Sequence, residues 1–160
     1  MASDPVSTVR QIVASALDWD QAHATFDAAV ANLPPDLRGK RPDQSPHSAW
    51  ELLEHMRIAT ADLADYMESA SHPQIKWPDD YWPASPEPPS DEAWEQSVAT
   101  YRKDIGRLKA ITMREDIDLT ATIPWGEWRT YLRTILVAVD HNAYHIGQLV
   151  LVRKLLGAWP

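Results

Sequence analysis

Apolar residues recur along this chain at steps of three and four, the spacing that lines one side of an α-helix, and no run alternates as a half-buried strand would. Four segments carry the pattern. The first opens at Asp4-Pro5, an acceptor side chain followed by proline at the first helical position, and carries Ile12, Ala16, Trp19, His23, Phe26 and Val30. Leu33-Pro34-Pro35 ends it. The second begins at Ser48 with Glu51 three residues on, a capping-box signature, and its stripe is Leu52, Met56, Ala59, Leu63 and Met67. The third begins near Ser90, has Asp91 and Glu92 in its first turn, and repeats Trp94, Val98, Tyr101, Ile105 and Leu108. The fourth runs from about Trp128 to Leu156 and stops at Gly157. The pattern predicts a single all-α domain spanning residues 1–160.

The connections bear on topology. Residues 71–89 hold Pro73, Pro78, Pro83, Pro86, Pro88 and Pro89, so no helix continues through them. A connection this long exceeds what antiparallel neighbours need, which predicts that the second and third helices run parallel. Trp77, Tyr81 and Trp82 within it predict packing against the bundle, because a free linker lacks aromatic residues. Residues 112–127, with Pro124-Trp125-Gly126, form a second long connection.

Composition narrows the function classes. Lys and Arg number 15 against 23 Asp and Glu, a formal charge of −8, so the surface repels phosphate backbones and no nucleic-acid partner is expected. The chain has no Cys, which removes disulfides, thiolate ligands and a cysteine nucleophile and suits a reducing compartment. No apolar run approaches the roughly 20 residues of a membrane span, and MASDPVSTVR lacks the apolar core of a signal peptide. The expectation is a cytoplasmic protein with neither membrane nor nucleic-acid partner. Exposed helix faces leave room for a homodimer.

Candidate chemistry gathers on the fourth helix. His141 and His145 stand four apart, one turn above the other, on a helix apolar nearly all round. Two imidazoles that close in a dry place cannot both be protonated cheaply, and a divalent cation would compensate them. A pair at this spacing, taken alone, is more often structural or on the surface than metal-binding, and a third ligand from another helix changes that balance. His55, beside Leu52 and Met56, completes three nitrogen donors, the number that leaves one position open on a catalytic zinc-type ion.

Other candidates rank lower. His23 lies on the first helix's stripe, as a fourth ligand or, better, a buried histidine bonded to a neighbour. His47 and His72 fall in connections and read as exposed. Asp140 points about 100° away from His141 around the helix, which makes ligation beside it awkward. Glu51, one turn before His55, is a candidate base, but its cap role already explains it. Gln148 would orient a ligand or water, and Tyr144 would pack or assist. Trp50, Trp125 and Trp128 flank the site in sequence and are candidates to wall a pocket. The paired Glu-x-x-His motifs of di-iron bundles are absent, as are HExxH, GxSxG, Walker and dinucleotide-binding motifs.

The run Ser48-Ala-Trp-Glu-Leu-Leu-Glu-His55, then Asp140-His-Asn-Ala-Tyr-His-Ile-Gly-Gln148 and Leu156-Gly157-Ala158-Trp159, resembles the DinB/YfiT-like metalloenzyme superfamily over most of the chain. The resemblance implies a four-helix bundle of up-down-down-up topology. It also implies a divalent ion, commonly nickel or zinc, on a histidine triad that maps onto His55, His141 and His145. The implied chemistry is metal-dependent hydrolysis of a small molecule, or transfer to a low-molecular-weight thiol cosubstrate. A non-catalytic metal- or ligand-binding module is the remaining alternative.

Overall fold

A computed structural model describes residues 4–160. Among these, five α-helices run in the order α1 (Pro5–Ala16), α2 (Phe26–Val30), α3 (Ala49–Glu68), α4 (Asp91–Met113) and α5 (Tyr131–Leu155), with short 3-10 turns at Pro35–Leu37 and Asp79–Tyr81. No strand forms among the described residues; Thr122 and Thr130 meet in one isolated bridge.

Three helices follow the predicted stripes because each has both a start signal and a continuous apolar face. Ser48 caps α3 with a complete capping box: its hydroxyl accepts from the Glu51 amide, and the Glu51 carboxylate accepts from the Ser48 amide. Leu52, Met56, Ala59 and Met67 are buried, and Leu63 packs at the edge of the core. Ser90 caps α4, where Trp94, Val98, Tyr101, Ile105 and Leu108 are all buried. Thr130 caps α5, which starts three residues after the predicted Trp128. Its end is a Schellman turn: Gly157 takes φ 69°, and the Ala158 amide donates to the Arg153 carbonyl at 2.8 Å.

The first predicted helix is divided. It stops at Ala16, and a new helix starts at Phe26, with Thr25 as its cap accepting from the Ala28 amide. Asp18 and Asp20 would stand at the negative end of α1, which has no basic residue in its last turn, so continuation is unfavourable there. The predicted stripe is therefore wrong at its middle. Ile12 and Trp19 are 54% and 40% exposed, while Arg10, Ala14 and Leu17 face inward. Arg10 donates to the carbonyls of Thr112 and Ile117, tying α1 to the end of α4.

α3 is the central element, packed on both α4 and α5, with α1 against α4 and α5 and α2 against α5. α5 is the one described helix long and apolar enough to cross a membrane, by length and composition alone. Here that apolarity meets the other helices on one side, while Leu136 and Leu151 stay about half exposed on another. Arg153 anchors its far end, donating to the Ala28, Ala29 and Ala158 carbonyls.

The proline-rich segment packs on the bundle as its aromatic residues predict. Tyr81 donates its hydroxyl to Asp62 at 2.6 Å, and the Ser48 hydroxyl donates to the Pro86 carbonyl. Gly39 has no room for a side chain, since a Cβ there would collide with the Cβ and Cα of Glu87. The two segments therefore touch backbone to side chain at that point.

Candidate metal centre

The structure brings His55 of α3 together with His141 and His145 of α5. One nitrogen from each of the three lies within 4.8 Å of the others. The ring centroids stand 4.9 Å apart for His55 and His141, 4.6 Å for His55 and His145, and 4.5 Å for His141 and His145. The pair on α5 needs only the helix, which places residues four apart on one side. His55 reaches them because α3 and α5 pack along their length.

Each imidazole is held through Nδ1. His55 Nδ1 lies 2.8 Å from the Tyr81 carbonyl, which can only accept, so this nitrogen carries the proton. His145 Nδ1 is 2.7 Å from Gln148 Oε1, and His141 Nδ1 is 3.3 Å from Asn142 Oδ1, with the same consequence. The Nε2 atoms of His55 and His141 are then unprotonated and face one another, and the proton-free nitrogen of His145 is its Nε2. His141 Nε2 and His55 Nε2 approach to 3.0 Å. Two lone pairs at that distance repel unless a cation or a proton lies between them.

A proton is disfavoured there. Burial pushes all three histidines below the ordinary imidazole range, with the neighbouring rings adding to it at His55 and His145. His145 falls to about 4, through burial first and then His141 and His55. The cluster is thus a set of neutral nitrogen donors at pH 7, which is what a borderline-soft divalent ion binds.

Aromatic rings close one side. Trp82 stacks on His55 with centroids 3.9 Å apart and planes 2° from parallel, and His47 stacks on the other face of Trp82 at 4.2 Å and 13°. His47, expected to be exposed, is half-buried in this stack. Trp77 approaches His55 at 6.4 Å and is 67% exposed; Tyr144 stands edge-on to His145 at 4.9 Å and is also exposed.

The remaining candidates separate by position. Gln148 belongs to the site through His145, and its amide donates to the Tyr144 hydroxyl at 3.2 Å. Glu51 is turned away into its own contacts: both carboxylate oxygens bond Arg41, and one also takes the Ser48 amide. Burial raises its pKa, but Arg41 and Ser48 outweigh that and hold it below the usual range. His23, expected to be buried, is exposed and bonds the Ala24 carbonyl. His72 is half-buried against Tyr66.

The expected tryptophan walls are elsewhere. Trp50 lies in the core near Trp94, Trp125 donates to the Tyr66 carbonyl, and Trp128 is 63% exposed under Arg129 and Arg133. Trp77 and Trp82 take that place. Tyr81, Trp82 and Asn142 escaped the sequence reading as partners of the histidines. Their signal was faint: two aromatic residues in a proline-rich segment and an Asn directly after His141.

Fold and site together define a helical protein built around three convergent histidines on two packed helices. The family model described as the DinB superfamily matches residues 18–149. That is most of the chain, and the protein belongs to the DinB superfamily. No curated protein matches it, and no solved structure does.

Proposed function

We propose that His55, His141 and His145 hold one divalent transition-metal ion, zinc or nickel, and that the protein is a metal-dependent enzyme hydrolysing a small substrate. The observation that carries this reading is the clustering of the three rings: every Nδ1 is spent on an outer partner, the Nε2 atoms of His55 and His141 meet, and one nitrogen from each histidine lies within 4.8 Å of the others. Such outer hydrogen bonds fix the tautomer and the aim of metal-ligating histidines. When bound, the ion supplies Lewis acidity that brings the pKa of water, or of a thiol, down toward neutrality. No carboxylate or further histidine joins the cluster among the described residues, which leaves a coordination position for the nucleophile.

The chain's own residues do the rest. Tyr81, Asn142 and Gln148 orient the ligands. Trp82 and His47 exclude water from the His55 side, while exposed Trp77 and Tyr144 flank the approach. Glu51 is a poor base because its oxygens are committed.

Elemental analysis of untagged protein, with His141→Ala alongside, tests the reading. About one equivalent of a transition metal, lost in the variant, is expected. Hydrolysis of small activated esters and amides should then stop on chelation and return with the metal. Failure of the protein to carry or take up zinc or nickel would overturn the assignment.

A further inference from the structure

A cavity of about 180 Å³ lies on another side of α5, between that helix, α4 and the turn joining α1 to α2. Its residues on α5, among them Val139, Asn142 and Ile146, stand about 130° round the helix from His141 and His145. Trp19, Phe26 and Tyr101 supply aromatic walls, with Phe26 and Tyr101 stacked at 4.0 Å. Tyr101 is only 2% exposed, and its hydroxyl has no hydrogen-bond partner among the described residues. Asp18 and Asp27 also line the cavity, against one guanidinium, Arg102. Both carboxylates lie close enough to Tyr101 to reinforce burial in pushing its hydroxyl above the usual range. Their ion pairs, Asp18 with Lys109 and Asp27 with Arg102, are solvent-exposed and therefore weak competitors for a ligand.

We propose that this cavity is a second ligand site, distinct from the histidine cluster, that takes a small organic ammonium ion. Aromatic faces attract a cation through their ring quadrupoles, and the two carboxylates add charge complementarity. The unpartnered Tyr101 oxygen offers a further contact to a donor. A cavity near 150 Å³ accommodates a molecule of benzene size, so this one suits a compact cation. The net charge of −8 favours its approach.

Choline is a suitable probe, because its quaternary nitrogen has no lone pair with which to ligate a metal. Its neutral analogue, with carbon in place of nitrogen, has the same shape without the charge. Calorimetric titration should give saturable choline binding, roughly tenfold tighter than the analogue. Asp27→Asn, at an exposed position, should weaken choline by a few-fold and leave the analogue unchanged. Ala143→Phe, which fills the cavity, should abolish binding with the metal content intact, and His141→Ala should leave choline binding in place. Equal affinity for choline and the analogue, absence of binding by either, or insensitivity to Asp27→Asn would each overturn the proposal. So would loss of choline binding in His141→Ala alone, which would assign the ion to the histidine cluster.

Discussion

Asn142 shows how much a single side chain does in this protein. Its Oδ1 holds His141 Nδ1, its amide donates to the Thr60 hydroxyl at 3.2 Å, and the residue is 2% exposed. Replacing it with Ala removes an outer partner of a ligand, for which a 10–100-fold loss of metal affinity is typical. Thr60 would lose its amide partner as well, at about 1–3 kcal/mol of stability. Competition against a chelator and urea denaturation measure the two effects separately. The histidines themselves also set a pH dependence in the metal-free protein. Their folded pKa values lie below the ordinary 6.5, so between about 6.5 and 4 the unfolded chain binds more protons than the folded one. Stability is therefore present above pH 6.5 and is lost as pH falls toward 4. Urea midpoints across that window, in protein stripped of metal, should fall with pH, and substituting all three histidines by Gln should flatten the slope.

At the scale of elements, legibility followed the length of the stripe. α3 and α4 carry long apolar faces behind Ser caps, and both signals act within a few residues of each other, so sequence shows them directly. His141 and His145 were visible for the same reason. The split of the first helix was not, because Ile12, Trp19 and Phe26 keep helical spacing across a turn that the chain uses to leave α1. Nor could spacing reveal that Trp82 lies on His55, a contact between segments 27 residues apart, set by tertiary packing. Two substitutions test these elements. Ser48→Ala removes the α3 cap and its bond to Pro86, with an expected loss of about 1–2 kcal/mol by thermal or urea denaturation. Gly39→Ala forces a Cβ against Glu87 and shifts the segment that carries Tyr81 and Trp82. It should cost about 1–3 kcal/mol and weaken metal binding, whereas Ala at exposed Gly147, which has open space, should leave metal affinity unchanged.

For the whole molecule, the bundle and the site depend on the same contact, the packing of α3 on α5. An ion bridging His55 to His141 and His145 would clamp those helices from within. A ligand that binds only the folded state at a thousand times its dissociation constant adds about 4 kcal/mol. Zinc or nickel should accordingly raise the melting temperature of the chelator-treated protein by several degrees, and His55→Ala should remove that increment while sparing most helix content by circular dichroism. A melting temperature indifferent to metal in the parent protein would mean that the two helices are not joined through the histidines.

Asn142 has a second consequence, which follows from where it sits. It lines the cavity beneath the α1–α2 turn and also touches His141, so one amide group is a party wall between two compartments. Whatever presses on that wall from one room is felt in the other, and thermodynamic linkage makes the exchange even-handed. If filling the cavity alters the grip on the ion by some factor, loading the ion must alter the hold on the cavity's occupant by that same factor.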